Sequence, residues 1–361
     1  MSRTREYPDV VTGKKCSVLP PELQTDIAQL VKAINDDQDP TPHLSSFVRG
    51  IKVLPAEAIS RACEEIPLIG TLRRRYDHVR TFWSIFRRTP KPTRGSDLDA
   101  LARYPQLAQL FIFHRDGWLR EAALHSLSKP PDNPFEFTAV VYRLNDWVEP
   151  VRSAAAACAR RLFPRTSANV VAEASLFLFR QIPKLGRWGE RERGLLESTL
   201  YRSDVIRALA ELLSARRSGP VALPFRHALR RPGLDDMLPR LASESPLPLV
   251  RAIAFETLIM KRARWLVQYR YEWVDKRFNI RRLVPEYDSR PVDHQLPVEN
   301  LLRQAAKDST VAVRKVAVRG LIDLRNSLSS DMSDLAHALA QDESSAIRER
   351  GKFYLNDRSS D

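Results

Sequence analysis

The chain has 361 residues, of which 43% are hydrophobic and 28% are charged. This balance is that of a folded globular protein and excludes an intrinsically disordered one. The formal net charge of +14 at pH 7 favours a polyanionic partner, such as a nucleic acid or an acidic protein surface. The first residues are polar and charged, and no uncharged run approaches the roughly 20 residues of a membrane-spanning helix. The sequence therefore predicts a cytoplasmic protein without a signal peptide or a membrane span.

Arginine accounts for 46 of the 58 basic residues. Two explanations stay open for this surplus: a surface that binds anions, and a structural use of arginine inside repeated helices combined with codon usage. The 12 glycines and 25 prolines favour helices joined by tight corners over a β-sandwich. The cysteines, Cys16, Cys63 and Cys158, are too widely spaced to form a metal or redox motif.

The N-terminal part has an irregular helical pattern. Helices are predicted over residues 21–34, 55–66 and 67–88, and the first two begin with proline, which suits the first turn of a helix. Residues 89–96 are rich in proline and predict a linker. The sequence thus predicts a less regular helical N-terminal region over 1–95 and a repeat region over 96–361.

Residues 71–94 form a first basic-aromatic stretch. Eight basic residues stand there against one acid, Asp77, and aromatic residues are interleaved with them. Basic side chains neutralise phosphates and aromatic rings stack on bases, so the stretch is a candidate contact for nucleic acid or for another partner. The candidate residues are Arg73, Arg74, Arg75, Trp83, Arg87 and Arg88.

From residue 119 onward a short pattern recurs five times: an aliphatic residue, Arg, two residues, a small residue, three residues, and Leu or Ala. The aliphatic, small and final positions fall at i, i+4 and i+8, on one stripe of a helix. A small residue in the middle of the stripe lets a neighbouring helix approach closely. The pattern begins at Leu119, Val151, Val250, Val313 and Ile347.

An acidic residue precedes most of these arginines in the preceding turn. Three aspartates each lie six residues before the arginine of the pattern. Such an aspartate can cap the incoming helix, or accept a charge-assisted hydrogen bond from arginine within or between repeats. The predicted structural ladder comprises Arg120, Asp146, Arg152, Arg251, Asp308, Arg314, Asp342 and Arg348.

An acidic turn followed by V-R-x-x-A in a second helix resembles the HEAT-repeat family, including its short bacterial form. The resemblance covers about residues 116–160, 234–260 and 296–356. It implies an all-α fold, a right-handed α-α superhelix (an α-solenoid of HEAT-like helix pairs), whose extended concave surface binds a partner. Residues 161–233 and 261–295 are expected to hold degenerate repeats or insertions.

Residues 261–282 form a second basic-aromatic stretch, diluted by Glu272 and Asp275. Its composition fits contact with a nucleic acid, but Trp, Tyr and Arg are also enriched at protein–protein hot spots. A third interpretation is purely structural, with aromatic residues in the core and arginines in solvent. The candidate contact residues are Arg262, Arg264, Trp265, Tyr269, Arg270, Trp273, Arg277, Arg281 and Arg282.

No motif for phosphate, dinucleotide, serine-nucleophile or zinc-protease chemistry occurs, and the seven histidines are scattered. The sequence therefore predicts no catalytic residue, metal site or cofactor.

The sequence favours a non-enzymatic interaction scaffold with a protein partner. The alternative is a nucleic-acid-binding HEAT-like protein that uses 71–94 and 261–282. An enzyme similar to the bacterial alkylpurine DNA glycosylases is less favoured, because no residue here aligns with their site. The oligomeric state stays open.

Overall fold

The computed structural model describes residues 17–69, 97–328 and 332–358. Within these ranges the chain is predominantly helical, with 67% helix in 18 helices and one two-stranded sheet. The helical class predicted from the sequence is confirmed, whereas the sheet was not predicted. The chain divides after Ser128 into two compact units. Among the described residues, no helix combines the length and the apolar character that crossing a bilayer requires.

The first unit has six described helices. They are α1 (Pro21–Asn35), α2 (Thr41–Lys52), α3 (Ile59–Ile69), α4 (Asp97–Arg103), α5 (Ala108–Phe111) and α6 (Gly117–Ser126). Helix α1 packs on α2 and α3 and buries Leu30 and Phe47. The helix predicted over 55–66 begins as a 3-10 turn and runs through Pro67 to Ile69. The rest of the predicted helix over 67–88 and the predicted linker lie outside the described residues.

The second unit has twelve described helices. Its helices are α7 (Pro134–Leu144), α8 (Glu149–Leu162), α9 (Ala168–Gln181), α10 (Glu190–Leu200), α11 (Ser203–Ala215), α12 (Ala222–Ala228), α13 (Leu238–Glu244), α14 (Pro248–Ile259), α15 (Val298–Ala306), α16 (Val311–Asp323), α17 (Ser333–Leu339) and α18 (Ser345–Arg358). The two-stranded sheet lies between α14 and α15 along the chain. It therefore interrupts the helical order within the segment 261–295.

Consecutive helices of the second unit pack as pairs: α7 on α8, α13 on α14, α15 on α16, and α17 on α18. The second helices of the last three pairs also pack in sequence, α14 on α16 and α16 on α18. The repeated stripe explains this packing, because Val250, Ala254 and Leu258 of α14 are at most 1% exposed. The small central alanine leaves room for the neighbouring helix.

Local sequence sets the starts of two helices at the junction of the units. The Asp116 side chain accepts a hydrogen bond of 2.9 Å from the backbone N–H of Trp118 at the start of α6. The Asn133 side chain accepts one of 2.9 Å from the backbone N–H of Glu136, and Pro134 occupies the first turn of α7. Both caps satisfy N–H groups that have no partner inside the helix.

The arginine of each repeated pattern donates from Nη1 to a backbone carbonyl six residues earlier, in the preceding turn. The donor–acceptor distances are 2.9 Å for Arg120, 2.8 Å for Arg152, 2.8 Å for Arg251, 3.1 Å for Arg314 and 2.7 Å for Arg348. This contact ties each second helix to its own turn and gives a carbonyl of that turn a hydrogen-bond donor.

Two of these arginines also join one helix pair to the next. Arg251 donates to both carboxylate oxygens of Asp308, at 2.7 and 2.9 Å, and Arg314 donates to both oxygens of Asp342, at 2.6 and 3.2 Å. Both aspartates also accept a hydrogen bond from a backbone N–H two residues further on, at 2.8 Å. The aspartate therefore caps its own turn and pairs with the arginine of the preceding pair.

Gly351 of α18 allows the last pair to pack closely, and alanine at this position should destabilise it. A Cβ atom there would lie 2.6 Å from the backbone nitrogen of Ala340, so the backbone has to move. We expect Gly351→Ala to lower the stability of this pair by about 1–2 kcal/mol. Hydrogen exchange over residues 333–358 measures the change.

Gly194→Ala in α10 is the matched control. A Cβ atom at Gly194 has no neighbour within 4 Å, so alanine should stabilise the helix by up to about 1 kcal/mol through its higher helix propensity. Equal protection of 333–358 in the Gly351→Ala variant and in the parent chain would contradict the packing argument.

Candidate binding surface on a β-hairpin

The two strands form one long hairpin, β1 (Arg262–Asp275) and β2 (Ile280–Pro291), which pair antiparallel. The backbone N–H of Arg277 donates to the Asp275 side chain at 2.8 Å within the turn. Asn279 has φ 53°, a left-handed conformation that asparagine tolerates better than most residues. Tyr, Trp and Val, which favour strands, are frequent in β1. Within the described residues this hairpin is the exception to the all-α class, and it lies in the segment 261–295, where the sequence predicts degenerate repeats or insertions.

The base of the hairpin packs against α12 and α14. Ala263 and Trp265 are buried there, at 0% and 7% exposure. Arg290 donates to both carboxylate oxygens of Asp235, at 2.8 and 2.5 Å, and to the backbone carbonyl of Leu229 at 2.8 Å. These contacts fix the base of the hairpin to the helices.

The register of the strands separates the side chains onto two faces. Cross-strand partners lie on the same face, and successive residues of a strand alternate between faces. Irregularities at Val267 and Val274 shift the alternation of β1 by one residue each time. We call one side the aromatic face; beyond the base it comprises Tyr269, Tyr271, Trp273, Arg281, Leu283 and Tyr287. We call the other side the polar face; beyond the base it comprises Gln268, Arg270, Glu272, Asp275, Ile280, Arg282, Val284 and Glu286.

The aromatic face is exposed along its length. The exposed fractions are 71% for Tyr271, 57% for Tyr269, 53% for Leu283, 46% for Tyr287 and 42% for Trp273. Large apolar side chains that cluster on a surface in this way mark contact sites for another molecule. This cluster is therefore the strongest candidate binding surface in the described part of the chain.

Arginines cover two of the rings on the aromatic face. The guanidinium carbon of Arg281 lies 3.9 Å from the ring centroid of Trp273, and that of Arg264 lies 4.9 Å from the ring centroid of Tyr287. Both are cation–π contacts. They hold positive charge directly on the apolar surface, and they leave Tyr269 and Tyr271 as the most accessible rings.

The acids of the hairpin lie on the opposite side. Glu272 accepts hydrogen bonds of 2.7 and 3.0 Å from Arg282, and Glu286 accepts one of 2.7 Å from Gln268. The hydrogen bonds from Arg282 lower the pKa of Glu272 below its usual range. The register places Asp275 and Asp288 on this side as well. The aromatic face consequently carries arginine without any acid.

The sequence-predicted contact residues divide into five groups. Arg264, Tyr269, Trp273 and Arg281 lie on the aromatic face, and Arg262 extends it towards the base. Arg270 and Arg282 lie on the polar face, where Arg282 is paired with Glu272, and Arg277 lies in the turn. The predicted contact role of Trp265 has to be corrected, because this side chain is buried at the base, where it positions the hairpin. Arg73, Arg74, Arg75, Trp83, Arg87 and Arg88 lie outside the described residues.

Sequence reasoning missed three residues of this face: Tyr271, Leu283 and Tyr287. The signal for the first was present, because residues 268–273 alternate strictly between polar and aromatic side chains. Such an alternation is typical of a strand with two different faces. The total basic and aromatic content of residues 261–282 does not reveal this alternation.

Other chemistry in the described residues is structural in character. Burial raises the pKa of the Cys158 thiol to about 11, so the sulfur stays protonated and unreactive at neutral pH. Burial also lowers the pKa of His227, to about 4, and its ring stacks on Phe179. No group of three or more potential metal ligands occurs among the residues that the structure describes.

Comparisons with protein-family models, with curated proteins and with solved structures found no match for this chain.

Proposed function

We propose that this protein is a non-enzymatic binding protein whose second helical unit holds the hairpin as a recognition arm. The observation that carries the proposal is the aromatic face, a row of exposed Tyr and Trp side chains on a hairpin whose base is fixed. A two-stranded hairpin is at best marginally stable in water by itself. Exposing large apolar side chains on such an element is costly for solubility, and contact with a partner explains why they are there.

The proposed scaffold is the HEAT-like α-solenoid that the repeats imply. Packing of α14 on α16 and of α16 on α18, with an Arg–Asp bridge at each step, supports it. Each bridge joins neighbouring pairs in the same way, which is the property that makes a repeat array regular. Each bridge pairs one positive charge with one negative charge, so the bridged arginines contribute nothing to the net charge of +14.

Two classes of partner fit the aromatic face. A protein partner is favoured by the mixture of Trp, Tyr and Arg, which is typical of interface hot spots. A nucleic acid is favoured by the segregation of charge, because arginine and aromatic rings share one face while the acids lie on the other. Either class would bind without a catalytic step.

A photo-crosslinker at two adjacent positions tests the proposal in living cells. Benzoylphenylalanine replaces either Tyr271, on the aromatic face, or Arg270, on the polar face of the same strand. We expect a discrete crosslinked species from position 271 and at least five-fold less from position 270. Digestion with protease or nuclease then identifies the class of the crosslinked partner.

The two positions share the strand and its distance from the helices, so they control for each other. Circular dichroism of both variants verifies that the helical fold is retained. Equal crosslinking from both positions, or none from position 271 in the cells that normally make the protein, would refute the hairpin as the recognition arm.

A further inference from the structure

We infer that the aromatic face binds single-stranded nucleic acid, with unpaired bases stacked on the open rings of Tyr269 and Tyr271, beside the Trp273 ring that Arg281 covers. This inference rests on the proposed function and names the ligand of the same surface. Three observations carry it: the spacing of the rings, the arginines beside them that have no acidic partner, and the exposure of Tyr269 and Tyr271.

The three rings stand at alternate positions of β1, so they repeat along one side of the strand. Alternate residues of an antiparallel strand are about 6.8 Å apart. This spacing suits bases that are spread apart, each on its own ring, and does not suit the close stack of a duplex. Sheets that bind RNA use exposed aromatic residues in this way and stack about two or three bases on them.

The arginines beside the rings have no acidic partner among the described residues. Arg262, Arg264 and Arg281 form no salt bridge there, whereas Arg282 on the polar face is paired with Glu272 at 2.7 Å. The charge on the aromatic face is therefore available to an anion from outside the hairpin. A phosphate backbone that follows the strand supplies one such anion per base.

Unpaired bases fit the face better than paired ones. In a duplex the faces of the bases are covered by their neighbours, and only their edges are accessible in the grooves. Stacking on Tyr271 requires a free base face. An acidic peptide would satisfy the arginines, but it offers no planar group to cover a row of three rings.

Fluorescence anisotropy with three labelled probes tests the inference on the full chain at 50 mM salt. The probes are a twelve-residue oligothymidylate, an abasic strand of the same length and charge, and a twelve-base-pair duplex. We expect the thymidylate to bind at least ten-fold more tightly than the abasic strand, because stacking is lost without bases. An oligouridylate of the same length distinguishes RNA from DNA as the preferred source.

Two triple variants separate the aromatic face from the general positive charge of the chain. Replacing Tyr269, Tyr271 and Trp273 with serine should weaken thymidylate binding at least ten-fold and abasic binding less than two-fold. Replacing Gln268, Arg270 and Glu286 on the polar face with serine leaves the net charge unchanged, and should alter both affinities less than two-fold. Far-ultraviolet circular dichroism and the thermal midpoint verify that both variants fold.

Several results would overturn the inference. Equal affinity for the abasic strand would mean that only phosphates are recognised, and tighter duplex binding would mean that paired DNA is the ligand. No thymidylate binding at 50 mM salt would exclude the ligand class. A protease-sensitive crosslink from position 271 with no nuclease-sensitive one would identify a protein partner. In that last case the recognition arm stands and only the inferred ligand fails.

Discussion

Replacing Arg290 with methionine is expected to lower the free energy of unfolding of the second unit by about 3 kcal/mol and to loosen the hairpin. Arg290 donates to Asp235 at 2.8 and 2.5 Å and to the carbonyls of Leu229 and Arg231 at 2.8 and 3.0 Å. Its side chain is 16% exposed and that of Asp235 is 17% exposed. Without the guanidinium, a largely buried carboxylate and two carbonyls lose their donors.

Urea unfolding measures the free-energy change, and hydrogen exchange over residues 262–291 measures the loosening. The control is Arg282→Met, which removes an ion pair whose two side chains are 66% and 42% exposed. Exposed pairs contribute at most about 1 kcal/mol, so this variant should stay close to the parent chain. If the two variants lost the same stability, Arg290 would not be the anchor of the hairpin.

Replacing Asp308 with asparagine is expected to lower the free energy of unfolding by about 2 kcal/mol at pH 7. Burial raises the pKa of Asp308, but hydrogen bonds from Arg251 and Thr310 outweigh burial and bring the pKa down to about 2 from 3.8. The two side chains of the bridge are 13% and 11% exposed, so solvent screens the pair only weakly. The variant also leaves Arg251 without its anionic partner.

The loss of unfolding free energy in Asp308→Asn should be smaller at low pH. A carboxyl group whose pKa is lower in the folded state stabilises the fold above the pKa of the unfolded state. For Asp308 the contribution is complete above about pH 4 and disappears as the pH falls from about 4 towards 2. The gap between the parent chain and Asp308→Asn in urea unfolding should therefore be constant from pH 7 to 5 and narrow below pH 4.

Asp334→Asn provides the matched control. Asp334 of α17 pairs with Arg303 of α15, but the Asp334 side chain is 63% exposed, so the loss of stability in Asp334→Asn should be close to zero. A gap for Asp308→Asn that persisted unchanged at pH 3 would show that the charge of Asp308 is not what joins the pairs.

The features that a sequence can predict here are those set by nearby residues. The stripe of Val250, Ala254 and Leu258 spans nine residues and repeats, so its burial follows from helical spacing alone. The turn contact of Arg251 with the carbonyl of Ser245 is likewise local, at 2.8 Å. The stripe and the arginine contact recur in each helix pair, so they can be recognised from the sequence as a repeated pattern.

Contacts between distant residues could not be predicted in the same way. Arg251 and Asp308 are separated by 57 positions because the hairpin lies between them. The sequence predicts that such an aspartate pairs with an arginine within or between repeats, but it does not say which one, and the equivalent bridge of Arg314 to Asp342 spans only 28 positions. The Arg290–Asp235 anchor is separated by 55 positions, and no pattern links the two residues.

The composition of the two hairpin faces can be predicted from the sequence only in part. The alternation from Gln268 to Trp273 predicts a strand, and it predicts that Tyr269, Tyr271 and Trp273 share a side. It does not predict which residues of β2 join them. That pairing depends on the irregularities at Val267 and Val274, each of which moves the alternation by one position.

The hairpin leaves and rejoins the helices at one point. The backbone N–H of Val292 donates to the carbonyl of Lys261 at 3.0 Å, and Lys261 turns the chain out of α14 with φ 47°. Because the entry and exit are joined, the distal strands can change length or sequence without altering the spacing of α14 and α15. The hairpin is therefore an exchangeable module: a different hairpin can replace the strands beyond Trp265 while the helical array is kept.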